Sequence, residues 1–130
     1  MKEKYTYKKL EYIGEKVINW CINEFGLSKY HEYDPWLEID MDDEDCSLMG
    51  EYVHDNNEII IYPNFMDNMN EFIDTIIHEY THYMQSPSWY TRYSNRRKEL
   101  MGRIVSHPYE IEAYEVAKKN MKKCKKEVLK

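Results

Sequence analysis

The sequence predicts a single α+β domain spanning residues 1–130. Three features carry this reading. Apolar residues recur at helical spacing near both ends of the chain, a middle block alternates apolar with polar residues between turn signals, and a further helical stretch lies between that block and the last helix. Helix, sheet, helix, loop and helix in that order is the α+β arrangement. A chain of 130 residues with 42% hydrophobic content can build one core.

The first helix is expected over residues 5–26, where Leu10, Ile13, Val17, Trp20 and Cys21 share a face and Gly26 supplies a stop. Pro35 precedes WLEIDM, whose alternation reads as a strand. The acidic turn DDEDCS separates it from GEYVHD and EIIIYP. Between those two, Asn56-Asn57 is a hairpin signal, because asparagine tolerates positive φ. A small antiparallel sheet of three strands is therefore expected, at roughly 36–41, 49–54 and 58–62. Asn68 and Glu71 form a capping pattern that opens the next helix, which runs to about Gln85 before Pro87 blocks it. Residues 86–106 are polar and aromatic, with a short helical possibility near Lys98. Pro108 suits the first turn of the last helix, which sets Ala113, Ala117, Met121, Cys124 and Val128 on one face.

Composition narrows the function classes. Cys21, Cys46 and Cys124 are odd in number and widely spaced, which argues against a disulfide framework or a cysteine zinc site. No apolar run reaches membrane-spanning length, and the N-terminus lacks the apolar core of a signal peptide. A cytoplasmic protein with no membrane partner is expected. The net charge of −6 is unevenly spread: Tyr30 to Thr91 holds 15 Asp and Glu and no Lys or Arg, whereas Val116 to Lys130 holds seven Lys and one Glu. An acidic body argues against a nucleic-acid partner and suits a basic peptide or a cation. The same run admits an acidic DNA mimic, a reading that the basic last helix weakens.

The chemistry is concentrated in TIIHEYTHYMQ, residues 75–85. His78 and His82 stand four apart, so on a helix both imidazoles project from one side toward a common ion. Glu79 lies one step around, where a carboxylate reaches a metal-activated water without ligating the metal. The context strengthens the motif. Met69, Phe72, Ile73, Ile76, Ile77, Tyr80 and Met84 form one apolar stripe, and both histidines lie nearly opposite it. A catalytic zinc needs three protein ligands and an open position. HPYEIEAYEVA, residues 107–117, offers Glu110, Glu112 and Glu115 on a second helix, with His107 as a further candidate. On the helical wheel Glu110 projects nearest the apolar face and Glu112 lies toward its edge, which leaves the choice open. Gln85 and Ser88 replace the glycine and histidine of a three-histidine continuation.

HEYTHYMQ followed by PYEIEA resembles the gluzincin class of zinc metallopeptidases, with a zincin-like fold. It is most similar to very small single-domain members, including those of phages and other viruses, and more distantly to the ImmA/IrrE-type peptidases. The resemblance covers about residues 50–117. It implies zinc held by His78, His82 and Glu112, the glutamate immediately before alanine, and hydrolysis of a peptide or protein substrate with Glu79 as general base. It also implies an edge strand before the active-site helix, a place that EIIIYP fits, to which a substrate peptide adds as an extra strand. For the oxyanion donor, Tyr109 is the leading candidate, with Tyr93, Tyr90 and His107 as alternatives. Asp74, one turn before His78, is placed to orient a ligand ring. A catalytically inactive protein-binding module is the alternative function. A second metal loop is conceivable at Asp40, Asp42, Glu44 and Glu51, but Asp45 stands where a calcium hand has glycine.

Overall fold

A computed structural model describes residues 1–42, 44, 48–89 and 108–130. The architecture is α+β, as the pattern predicts. Helix α1 spans Tyr7–Phe25. Thr6 caps it by accepting from the Lys9 amide at 3.1 Å. Gly26 ends it at φ 82°, a left-handed conformation that glycine adopts without strain, and its N–H returns to the Ile22 carbonyl.

The strands are β1 (Trp36–Ile39), β2 (Gly50–Val53) and β3 (Glu58–Ile61). Their order is β1-β3-β2, with β3 antiparallel to β2 and parallel to β1. The sheet is thus mixed, not purely antiparallel as alternation suggested. The tight turn at 54–57, with Asn57 at φ 49°, pairs β2 with β3 as a hairpin. The connection after β1 is long enough to step past one strand, so β3 enters between its predecessors and, having reversed once more, runs with β1. EIIIYP is consequently the central strand and cannot receive a peptide. β2 is unpaired on its outer side among the described residues.

Helix α2 (Met69–Met84) is the spine of the domain. Asn68 accepts from the Glu71 amide at 3.1 Å, and the Glu71 carboxylate accepts from the Asp67 amide at 2.7 Å. These bonds satisfy donors at the helix start. Phe72, Ile73, Ile76, Ile77 and Tyr80 are fully buried against α1 and the sheet. The opposite, polar side is covered in turn by α3 (Pro108–Val128). Trp20 Nε1 donates to Glu127 at 2.5 Å and Lys123 pairs with Glu24 at 2.8 Å, fixing α3 to α1. Cys21 and Cys124 are buried free thiols, and burial raises the pKa of both, to about 12 for Cys124. Among the described residues no helix is long and apolar enough to cross a membrane.

Gly50 marks a close approach of the sheet to α2. A Cβ there would lie 2.7 Å from Thr75 Cγ2 and 3.2 Å from the Ile60 carbonyl oxygen. Gly50→Ala is therefore expected to force β2 off α2 and to lower stability by about 1–3 kcal/mol. Thermal melting monitored by circular dichroism should show a fall of roughly 3–10 °C. An unchanged melting temperature would mean that this contact yields freely.

Candidate metal centre

The two histidines of α2 meet one carboxylate of α3. His82 Nε2 lies 2.5 Å from Glu110 Oε1 and 3.2 Å from His78 Nε2, and His78 Nε2 lies 3.5 Å from the same carboxylate oxygen. Among the described residues these three form the one group of His, Cys, Asp or Glu side chains whose ligand atoms converge closely enough to hold a metal ion. His78 and His82 are 9% and 5% exposed, so they are neither solvated nor part of the apolar core. They are buried at the polar seam between α2 and α3.

The hydrogen-bond network sets the tautomer of His82. Gln85, the residue that ends α2, directs its amide back onto the ring. Its Nε2 donates to the Tyr109 carbonyl at 2.9 Å and to Glu112 Oε1 at 3.0 Å. Both partners are acceptors, so the other amide atom is the oxygen, and it accepts from His82 Nδ1 at 2.7 Å. The proton of a neutral His82 therefore sits on Nδ1. In that form its Nε2 lone pair faces the Glu110 oxygen and the second imidazole, where a divalent ion fits between them; without the ion, a hydrogen bond between His82 and Glu110 spans the same gap. Burial works to raise the Glu110 carboxyl pKa, but hydrogen bonds from His78 and His82 outweigh it and hold the group well below the usual carboxylate range. Burial likewise opposes charge on His78. The carboxylates of Glu110, Glu79 and Asp74 together overcome that and raise its pKa. The donor set of two imidazole nitrogens and one carboxylate oxygen fits a divalent ion, zinc among them.

Glu110, not Glu112, is thus the carboxylate brought to the histidines. Glu112 lies behind Gln85 as its anchor, and Glu115 is exposed, away from the cluster. The wheel set Glu110 nearest the apolar face without deciding between the glutamates, and the packing of α3 decides it. Glu110 directly follows Tyr109, on the buried side of α3 with Ala113 and Ala117, whereas Glu112 is exposed. Tyr109 also departs from its expected place. Its ring stacks on His82 at 4.1 Å and 12°, and its hydroxyl lies 3.3 Å from His54 Nε2. Burial, with His31 and His82 nearby, lowers the His54 pKa to about 4, so this backing is uncharged at neutral pH.

A cavity of about 570 Å³ opens beside the cluster. Glu79 lines it at 6% exposure, and its carboxylate makes no hydrogen bond or ion pair among the described residues. Burial raises its pKa, partly offset by His82 and His78. Among the described residues the phenol in this cavity belongs to Tyr114, one turn after Glu110, whose ring meets His78 edge-on at 4.6 Å. Sequence reasoning passed over Tyr114, although its spacing from Glu110 signalled a shared face. Asp74 also lines the cavity but makes no hydrogen bond to His78. His107, Tyr90 and Tyr93 lie outside the described residues. At the candidate second metal loop, Asp40 accepts from the Asp42 amide at 2.9 Å and Glu51, in β2, accepts from the Tyr62 hydroxyl at 2.7 Å. These carboxylates form no cluster able to hold a metal among the described residues.

Fold and site together define an α+β domain with a His-His-Glu group positioned to hold a metal ion. No family model, curated protein or solved structure matches the chain.

Proposed function

We propose that this protein is a zinc-dependent peptidase whose ligands are His78, His82 and Glu110. One observation supports it above others: three lone-pair atoms converge beside an unpartnered buried carboxylate, Glu79, in an open cavity. Zinc held there supplies Lewis acidity toward a water molecule and toward a peptide carbonyl. Glu79 takes the proton of the attacking water and returns it to the leaving amine nitrogen. The raised affinity of its buried carboxyl for a proton suits that task. Tyr114, rather than Tyr109, is the phenol available to donate to the carbonyl oxygen as it gains charge. Tyr109, Gln85 and Glu112 act through His82, holding its ring and its tautomer. The outer side of β2, entered by Leu48 and Met49 at the cavity, replaces EIIIYP as the strand a peptide would extend. A reducing compartment such as the cytoplasm suits the free thiols of Cys21 and Cys124.

Protein purified without a metal-affinity column is expected to carry about one zinc ion per chain by elemental analysis. It should hydrolyse an unfolded protein such as reduced casein, stop on addition of a chelator and recover with zinc. Failure to bind added zinc sinks the proposal. Zinc binding without hydrolysis would leave a metal-holding protein-binding module in its place.

A further inference from the structure

We propose that the cavity beside the metal cluster seats a lysine or arginine side chain of the substrate, with Asp74 as its charge partner. This names the substrate class for the peptidase reading and rests on it.

The cavity follows one side of α2. Asn70, Asp74 and His78 recur every four residues, as do Glu71, Thr75 and Glu79, and all six line it. From Asn70 to His78 the groove extends about 12 Å along the helix. Leu48, Met49 and Met121 form its apolar walls. A long stem can lie on such walls while its charged head reaches the carboxylates at the polar side. Among the described residues four carboxylates, Glu71, Asp74, Glu79 and Glu110, line the cavity, and no Lys or Arg does. A divalent ion on the cluster still leaves this wall net negative.

The four carboxylates are not equivalent. Glu110 belongs to the cluster, and Glu71 accepts from the Asp67 amide at the start of α2. Asp74 is half-buried and makes no hydrogen bond or ion pair among the described residues. Glu79, more than nine-tenths buried, faces the same space unpartnered. An apolar substrate residue here would cover Asp74 and leave its acceptors unsatisfied, and an acidic one would add repulsion. A cationic head satisfies them. The acidic seat is bounded, because past Asn70 and Met121 the surface turns basic with Lys122, Lys125 and Lys126.

The test uses the full, zinc-loaded chain and peptides Ala-Ala-Ala-X-Ala-Ala, with X as Lys, Arg, Met or Glu. Binding is measured by calorimetry on the Glu79→Gln protein, and cleavage by mass spectrometry on the wild type. Lys and Arg peptides should bind and be cut at least about tenfold better than the Met peptide, and the Glu peptide worst. Asp74→Asn should bring the Lys:Met ratio toward one, and Asp74→Lys should favour the Glu peptide. A merely structural Asp74 would lower all peptides together and leave the ratio unchanged, which overturns the proposal. Cleavage without preference for a basic residue removes the seat and leaves the peptidase reading. Selective binding of the Lys peptide without any cleavage removes the peptidase reading and leaves the seat. Neither binding preference nor cleavage removes both.

Discussion

Alanine at Glu110 is expected to weaken zinc binding by about two to three orders of magnitude, whereas alanine at Glu112 should cost about tenfold to a hundredfold. The larger figure follows from structural zinc sites, where about 10–16 kcal/mol shared among four protein ligands gives roughly 3–4 kcal/mol for each. Glu110 Oε1 stands 2.5 Å from His82 Nε2, in the converging set. Glu112 reaches the site only through Gln85, whose amide it anchors at 3.0 Å. Its loss frees the amide to rotate and loosens the Nδ1 bond that fixes the His82 tautomer, without removing a donor from the metal. Competition against a chromophoric chelator measures both variants, with far-ultraviolet circular dichroism confirming that each is folded. A Glu112 variant that loses zinc as completely as the Glu110 variant would restore the assignment made from PYEIEA by resemblance. Gln85→Leu should resemble Glu112→Ala more than Glu110→Ala, since it too acts on ring orientation.

The contrast between those two glutamates shows what a sequence makes legible. Local signals were sufficient for α2: the Asn68 cap, the apolar stripe and the two histidines on the other side all reappear in the structure. Such features depend on residues within a turn or two of each other. The hairpin turn at Asn57 is legible for the same reason. Which strand pairs with which is a different problem. β1 lies beside β3 because the longer connection lets the hairpin return past it, and nothing within WLEIDM encodes that choice. The third ligand falls between these cases. Helical phase placed Glu110 nearest the buried side, but selecting it required knowing that α3 lies against α2 with that side toward the histidines. Tyr109 and Tyr114 divide for the same reason. One is stacked on His82 and the other opens to the cavity, and only the packing of the two helices separates them.

Glu79→Gln is expected to lower kcat/KM for any peptide the protein cuts by about 10²–10⁴-fold while leaving its zinc content unchanged. The substitution preserves the shape of the side chain and removes its capacity to carry a proton from water to the leaving nitrogen. Glu79 contributes no atom to the converging ligand set, so metal retention should not suffer. Stability separates this role from a structural one. Folding buries the carboxylate and raises its pKa above the unfolded value, which means that the charged form is disfavoured in the folded protein. At neutral pH, in metal-free protein, the neutral amide relieves that cost, and the melting temperature should hold or rise. A carboxylate retained for a structural ion pair would behave oppositely, losing stability together with activity. The pair of measurements therefore has a definite sign: catalysis falls, and thermal stability does not. Hydrolysis that survives the change would remove Glu79 as the base. A fall in zinc content alongside activity would instead make it part of the metal site.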